Sequence, residues 1–194
     1  MSLIASLLTR GARFSYNINT IVTMPKTWHA PDGTTVMIRP ITSADFELER
    51  EFVDRLSPTT GYQRLMSARR PSADEIKRFT DIDYRREMAL IATILVGNRE
   101  RQVGVARYVR DQNSPDEAEF AIVLSDDWQR HGLGRKLLES LLDNARRQGV
   151  RRIIGTALAS NTGMLTLARR LGFHLRPNPL GPSVIDLSLD WEVN

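Results

Sequence analysis

Apolar positions along this chain follow two periods, and the change between them marks its parts. Met88 to Val96 is almost continuously apolar, which predicts a buried strand, and Gly97-Asn98-Arg99-Glu100 predicts the hairpin turn after it. Val103 to Arg110 predicts a second strand, Asp111 to Pro115 another turn, and Glu117 to Ser125 a third strand. Successive strands joined by such short turns pair antiparallel. The period then lengthens. Leu137, Leu138, Leu141, Leu142 and Ala145 form one stripe of an amphipathic helix that begins at Leu133 and stops at Gly149. Arg151 to Leu158 returns to strand character, and a strand, helix, strand succession implies a parallel pair. Asn161 caps a further helix carrying Met164, Leu165, Ala168 and Leu171, closed by Gly172. Phe173 to Leu175 and Val184 to Leu189 read as terminal strands around a proline-rich loop at 177–182.

Upstream, Asp32-Gly33 is a turn signal and Thr34 to Ile41 alternates as a first strand. Thr42-Ser43-Ala44-Asp45 predicts a capping box opening a helix whose Phe46, Phe52, Val53 and Leu56 face inward. Residues 58–71, with Tyr62, Leu65 and Met66, predict a short helix or ordered loop. Pro71-Ser72-Ala73-Asp74-Glu75 is a second capping box, before Ile76 and Phe79. Residues 1–24 differ from the rest: the first acidic residue is Asp32, and Met24 offers an alternative start. They are expected to be an N-terminal extension to one domain at 25–194.

Composition narrows the chemistry. The 194 residues are 41% hydrophobic and 26% charged, enough for one domain with a substantial core. Without cysteine there is no disulfide, no thiolate metal ligand and no cysteine nucleophile. His29, His131 and His174 are scattered, so no metal is expected. A net charge of +4 suits an anionic ligand. The basic residues, however, come as dispersed doublets such as Arg69-Arg70 and Arg151-Arg152, expected as solvated element ends. Neither nucleic acid nor a membrane is expected as a partner, a cytoplasmic location is expected, and monomer and dimer are equally compatible with the pattern.

The most informative stretch is Ala118 to Leu138. A strand runs into Gln129-Arg130-His131-Gly132-Leu133-Gly134 and then into the long helix. A helix start offers unpaired N–H groups and the positive end of its dipole, and glycines let a ligand approach the backbone, so the corner suits an anion, most often a phosphate. It lacks the Gly-Lys-Ser/Thr of a Walker loop, and Leu137 stands where a dinucleotide fingerprint needs its third glycine. A tight strand-to-helix turn would look the same.

Three pieces in order resemble the GNAT superfamily of acyl-CoA-dependent N-acetyltransferases. Gln129 to Gly134 fits that family's Gln/Arg-x-x-Gly-x-Gly/Ala loop. Asn161 to Phe173 fits its Asn-initiated helix ending in Gly-Phe, and Ile38-Arg39-Pro40 with Ser43-Ala44-Asp45 fits its first strand and helix entry. The resemblance covers about residues 34–190. It implies an α/β (α+β) fold with a mixed, mostly antiparallel central sheet, helices on both faces, and a parallel pair flanking the acyl-CoA site. Asp83 to Leu90, Val103 to Val109 and Ala118-Glu-Phe-Ala121 further resemble bacterial protein lysine acetyltransferases of the Pat type.

The resemblance implies acetyl-CoA as co-substrate and an amine acceptor, with a protein lysine leading and a small amine (polyamine, amino acid or antibiotic) or a non-catalytic acyl-CoA-binding module as alternatives. A lysine ammonium, with a pKa of about 10.4, must lose a proton before it attacks a thioester. Glu119 is the implied general base. Strand alternation puts it on one face with Glu117, Ala121 and Val123, and its competing reading is an edge-strand charge that blocks aggregation. Glu117 is the fallback. For the donor, Val123 and Leu124 would offer backbone groups to the pantetheine arm, and Gln129, Arg130, His131, Gly132, Leu133, Gly134 and Arg135 would hold the pyrophosphate. Asn161 would bond the arm or act only as a helix cap. Where many family members carry a tyrosine acid, three residues before Leu-Gly-Phe, this chain has Ala168.

Overall fold

The computed structural model describes residues 25–65, 69–179 and 181–191. The expected extension at 1–24, as well as Met66, lies outside these residues. Eight strands form one sheet in the order β1-β2-β3-β4-β5-β6-β8-β7. They are β1 (Lys26–His29), β2 (Thr35–Pro40), β3 (Glu87–Val96), β4 (Arg99–Arg110), β5 (Glu117–Leu124), β6 (Arg152–Leu158), β7 (His174–Pro177) and β8 (Val184–Asp190). All neighbours are antiparallel except β5 and β6. The helices are α1 (Phe46–Arg55), α2 (Pro58–Leu65), α3 (Ala73–Thr80), α4 (Leu133–Arg147) and α5 (Thr162–Arg170).

Alternation along the strands sends their side chains to two cores. On one face Ile38, Leu90, Ala106, Tyr108 and Phe120 pack under α4 and α5, which contribute Leu137, Leu138, Leu141, Leu165 and Ala168. On the other, Ala89, Ile91, Val105 and Val123 pack against Phe52, Val53 and Leu56 around α1. The predicted helix stripes are therefore the buried ones, although Phe46 is only half-buried.

Three predictions need correction. The strand β1 was not expected; only four residues long, it shows too little alternation to stand out. The hairpin after β3 is shorter than predicted, because Gly97 adopts φ 62° and Val96 pairs directly with Arg99, so residues 99–102 belong to β4. The strand after Gly172 runs from His174 to Pro177 rather than from Phe173 to Leu175.

Side chains fix the entry to α1. Asp45 accepts from the Thr42 N–H (2.7 Å), its half of the capping box, and also from the Thr42 hydroxyl (2.9 Å). Arg39 of β2 forks onto both Asp45 oxygens (2.9 and 2.7 Å) and reaches Glu100 of β4 (3.1 Å). Burial alone would raise the Asp45 carboxyl, but the Arg39 guanidinium and the Thr42 donors outweigh it and hold the group below its ordinary range.

Candidate active site

Only the foot of β5 is paired on both sides. Glu117, Ala118 and Glu119 lie beside Arg152, Ile153 and Ile154 of β6 in parallel register. Beyond Glu119, β5 continues to Leu124 paired with β4 alone among the described residues, and β6 runs to Leu158 paired with β8. The two strands separate above Glu119, each leaving an open edge whose peptide groups can pair with an extended ligand. Gly155 is the first β6 residue past the pairing. A Cβ there would lie 2.7 Å from the Phe120 ring and 3.2 Å from the Phe120 carbonyl oxygen, so the close approach at the base of the opening requires glycine.

Glu119 stands where the strands diverge and is 6% exposed. Opposite Val109 of β4 and Ile154 of β6, it is inside the sheet, which removes the edge-strand reading. A carboxylate in such a place is costly unless its surroundings compensate it. Arg107, also 6% exposed, shares this face one diagonal step across the β4–β5 pair. Its guanidinium donates to the Phe79 carbonyl (3.1 Å) and lies 4.7 Å above the Phe79 ring, fastening α3 to the sheet. Glu117 instead pairs with Arg152 at 3.2 Å and is half-exposed.

At its upper end β5 turns into the glycine-rich loop. Ser125 donates from its N–H (3.0 Å) and hydroxyl (3.2 Å) to the Val103 carbonyl, and a single 3-10 turn, Asp126–Trp128, follows. The backbone then enters the left-handed region twice, at Arg130 (φ 64°) and Gly132 (φ 90°). For the arginine this costs on the order of 1 kcal/mol. Whereas α3 and α5 are capped by Ser72 and Asn161 side chains, α4 begins with no side-chain cap. Its first N–H groups therefore have no side-chain cap at the positive end of the helix, and the left-handed turns give the backbone a concavity suited to an anion.

The loop, β5 and α5 meet at Gly134, where a Cβ would lie 3.3 Å from Leu124 and 3.5 Å from Leu167. Val123 and Leu124 at the open edge, the loop 129–135 and Asn161 thus gather around the carboxyl ends of the parallel pair, the usual ligand position in such sheets. The loop residues differ in what they offer. Leu133 is fully buried and anchors the start of α4, and Arg135 spends its charge partly on Glu139 (2.7 Å). His131 is exposed, 6.4 Å from the Trp128 ring. Gln129 points its amide at the Thr60 hydroxyl (3.2 Å). The Asn161 carbonyl oxygen accepts from the Met164 N–H (3.1 Å), which leaves its amide as the donor. Ala168 is a fully buried methyl.

Sequence reasoning missed two neighbours of this site. Trp28 of β1 lies 3.6 Å from where a Gly132 Cβ would be, walling the loop. Arg107 stands in the sequence only within the Val103 to Val109 segment, and a lone arginine between apolar strand residues is its available signal.

Residues 35–174 match the sequence model described as an acetyltransferase (GNAT) domain. The chain belongs to the GNAT family of acetyltransferases. A Pseudomonas aeruginosa acetyltransferase is 36% identical to it over 143 residues, 73% of this chain and 76% of that protein. Acetyltransferase Pat of Mycolicibacterium smegmatis is 29% identical over 140 residues, 72% of this chain but only 41% of Pat's length. The crystal structure of the GNAT domain of S. lividans PAT superposes with a TM-score of 0.77 at 28% identity, covering 86% of this chain and 97% of that one. The GNAT enzyme is therefore an acetyl-CoA-dependent N-acetyltransferase close to the Pat type, and its mixed sheet with one parallel pair is that family's fold.

The residues present fit an acetyl-CoA. The uncapped α4 start suits a pyrophosphate, and the open β5 edge suits the amide-bearing arm. Among the described residues no cluster of acidic or histidine side chains could hold a metal, and no helix is long and apolar enough to cross a membrane.

Proposed function

We propose that this GNAT enzyme moves the acetyl group of acetyl-CoA directly to a lysine ε-amine of a protein, with Glu119 as general base. One observation carries the base: a buried carboxylate at the point where β5 and β6 separate. The likeness to Pat supports the protein-lysine acceptor.

In this reading the backbone of Val123 and Leu124 pairs with the pantetheine arm, and the Asn161 amide adds a hydrogen bond. The N–H groups from Arg130 to Arg135 hold the pyrophosphate, and Arg130 adds charge. Glu119 accepts a proton from the incoming ammonium, directly or through one water. The neutral nitrogen then bonds to the thioester carbon as the carbon–sulfur bond breaks. The sulfur departs as thiolate, which a thiol of pKa about 8.5 tolerates without an acid at position 168, and the second proton leaves the new amide nitrogen for the thiolate or for water. With no cysteine in the chain, the acetyl group passes in one transfer. A cytoplasmic setting suits this donor and acceptor.

Incubation of the enzyme with labelled acetyl-CoA, against a cell lysate and against a panel of free amines, tests the acceptor. Label on lysine side chains of intact proteins is expected. Label confined to small amines would replace the lysine reading, and donor binding without transfer to either would leave a binding module.

A further inference from the structure

One cluster of side chains near the donor loop plays no part in this chemistry. Asp126 accepts three hydrogen bonds, from the Ser57 N–H (3.0 Å), the Ser57 hydroxyl (2.7 Å) and the Thr60 hydroxyl (2.7 Å). Ser57 is itself the cap of α2: its hydroxyl accepts from the Thr60 N–H (3.2 Å) and its carbonyl from the Gly61 N–H (2.8 Å). The Thr60 hydroxyl, 5% exposed as a residue, also accepts from the Gln129 amide (3.2 Å). A continuous set of bonds therefore runs from Gln129, the first residue of the glycine-rich loop, through Thr60 to Asp126 and Ser57.

Helix α2 has eight residues, too few to hold together alone in water. Its start depends on a carboxylate that belongs to the turn between β5 and the donor loop, and that carboxylate also favours the positive helix end. Burial would raise the Asp126 carboxyl, but the Ser57 and Thr60 donors outweigh it and keep it ionised well into acid. Helix α2 contacts β5 and follows α1, which packs on the sheet face that carries Glu119. The loop beside it already stores the left-handed Arg130 one residue after Gln129. The 3.2 Å bond from the Gln129 amide to the Thr60 hydroxyl is the link through which an adjustment of the loop would reach α2.

We propose that Thr60 and Asp126 are positioning residues that lock helix α2, a wall of the acceptor side, to the donor loop, so that donor binding organises the acceptor site. This rests on the reading of residues 129–135 as the donor loop. Without the lock, the donor still binds and the base still works, but the acceptor meets a loosened wall.

Thr60→Val keeps the shape of the side chain while removing both hydrogen bonds, and Asp126→Asn weakens the same set at its other end. Thermal melts establish that each variant is folded. Amide hydrogen exchange at residues 59–63, with and without saturating acetyl-CoA, is the first readout. In the wild type the donor is expected to slow exchange there about tenfold or more, and in Thr60→Val that slowing should disappear, as expected from losing hydrogen bonds that include one to a charged group. The second readout is transfer to poly-L-lysine: KM for the polymer should rise about tenfold, with kcat and the acetyl-CoA Kd within about twofold. Donor binding to the wild type without any slowing at 59–63 would overturn the proposal, as would a folded Thr60→Val that keeps the slowing and the KM. No acetyl-CoA binding by the wild type would overturn the donor-loop reading itself. Binding without transfer to poly-L-lysine would count only against the lysine acceptor and leave the exchange data to decide.

Discussion

On the proposed donor side of β5 the enzyme presents mostly backbone: an open strand edge, an uncapped helix start and a left-handed glycine turn. On the proposed acceptor side, α1 to α3 are held by side chains, with Arg39 on Asp45, Arg107 on Phe79 and Asp126 on Ser57 and Thr60. On this reading the donor site is built to stay constant and the acceptor wall to vary. Backbone geometry recognises a constant ligand and leaves a glycine signature. Side-chain struts can be replaced piecemeal, so the wall they hold is free to change.

The comparison can be broken from either side. The largest effect is expected at their junction: Glu119→Gln should lower kcat/KM at neutral pH by about 10²- to 10⁴-fold, the usual contribution of a general base, while the acetyl-CoA Kd measured by calorimetry stays the same. Next, Gly155→Ala would press a methyl into the Phe120 ring and carbonyl. It should cost about 1–3 kcal/mol of stability in denaturant titrations and narrow the opening. On the donor side, Gly132→Ala forces a left-handed alanine, so denaturant titrations should show a stability loss of about 1–2 kcal/mol, and a loop that shifts to relieve that strain should bind acetyl-CoA more weakly in calorimetry.

The smallest effect belongs to the acceptor side. Ser72→Ala removes the α3 cap and should cost about 1 kcal/mol in chemical denaturation without altering the acetyl-CoA Kd. The same cap sets an acid limit. Arg69 bonds to Glu75, and despite partial burial the carboxyl falls to about 2. A lowered carboxyl contributes stability that is complete above its ordinary pKa of about 4.5 and is lost as pH falls towards 2. Asp45 and Glu100, both lowered beside Arg39, act with the same sign. Thermal melts of the wild type should therefore weaken between about pH 4.5 and 2, and less so in Glu75→Gln.

What could be read in the sequence follows the same division. The meander, the amphipathic α4 and the parallel crossover came from period and glycine stops, since strong burial imposes strong patterning on long elements. The donor loop was legible because the left-handed turn at Gly132 favours glycine and Gly134 packs closely on Leu124 and Leu167. β1 was not, because four residues with Trp28 half-buried carry almost no pattern. Nor was the Asp126 cluster: Ser57, Thr60 and Asp126 are ordinary loop and cap residues whose meaning lies in a contact 66 to 69 positions apart along the chain. Glu119 was visible as a carboxylate in an apolar strand, but only the parallel register put it where the strands part.

The pH dependence of acetyl transfer by wild type and Glu119→Gln, at saturating acetyl-CoA with poly-L-lysine as acceptor, tests the central claim most directly. If Glu119 takes the ammonium proton, the variant is slow at neutral pH and recovers as pH rises towards the amine's own pKa of about 10.4, where solvent removes the proton instead. Identical profiles for the two proteins, with acetyl-CoA bound equally well, would contradict it.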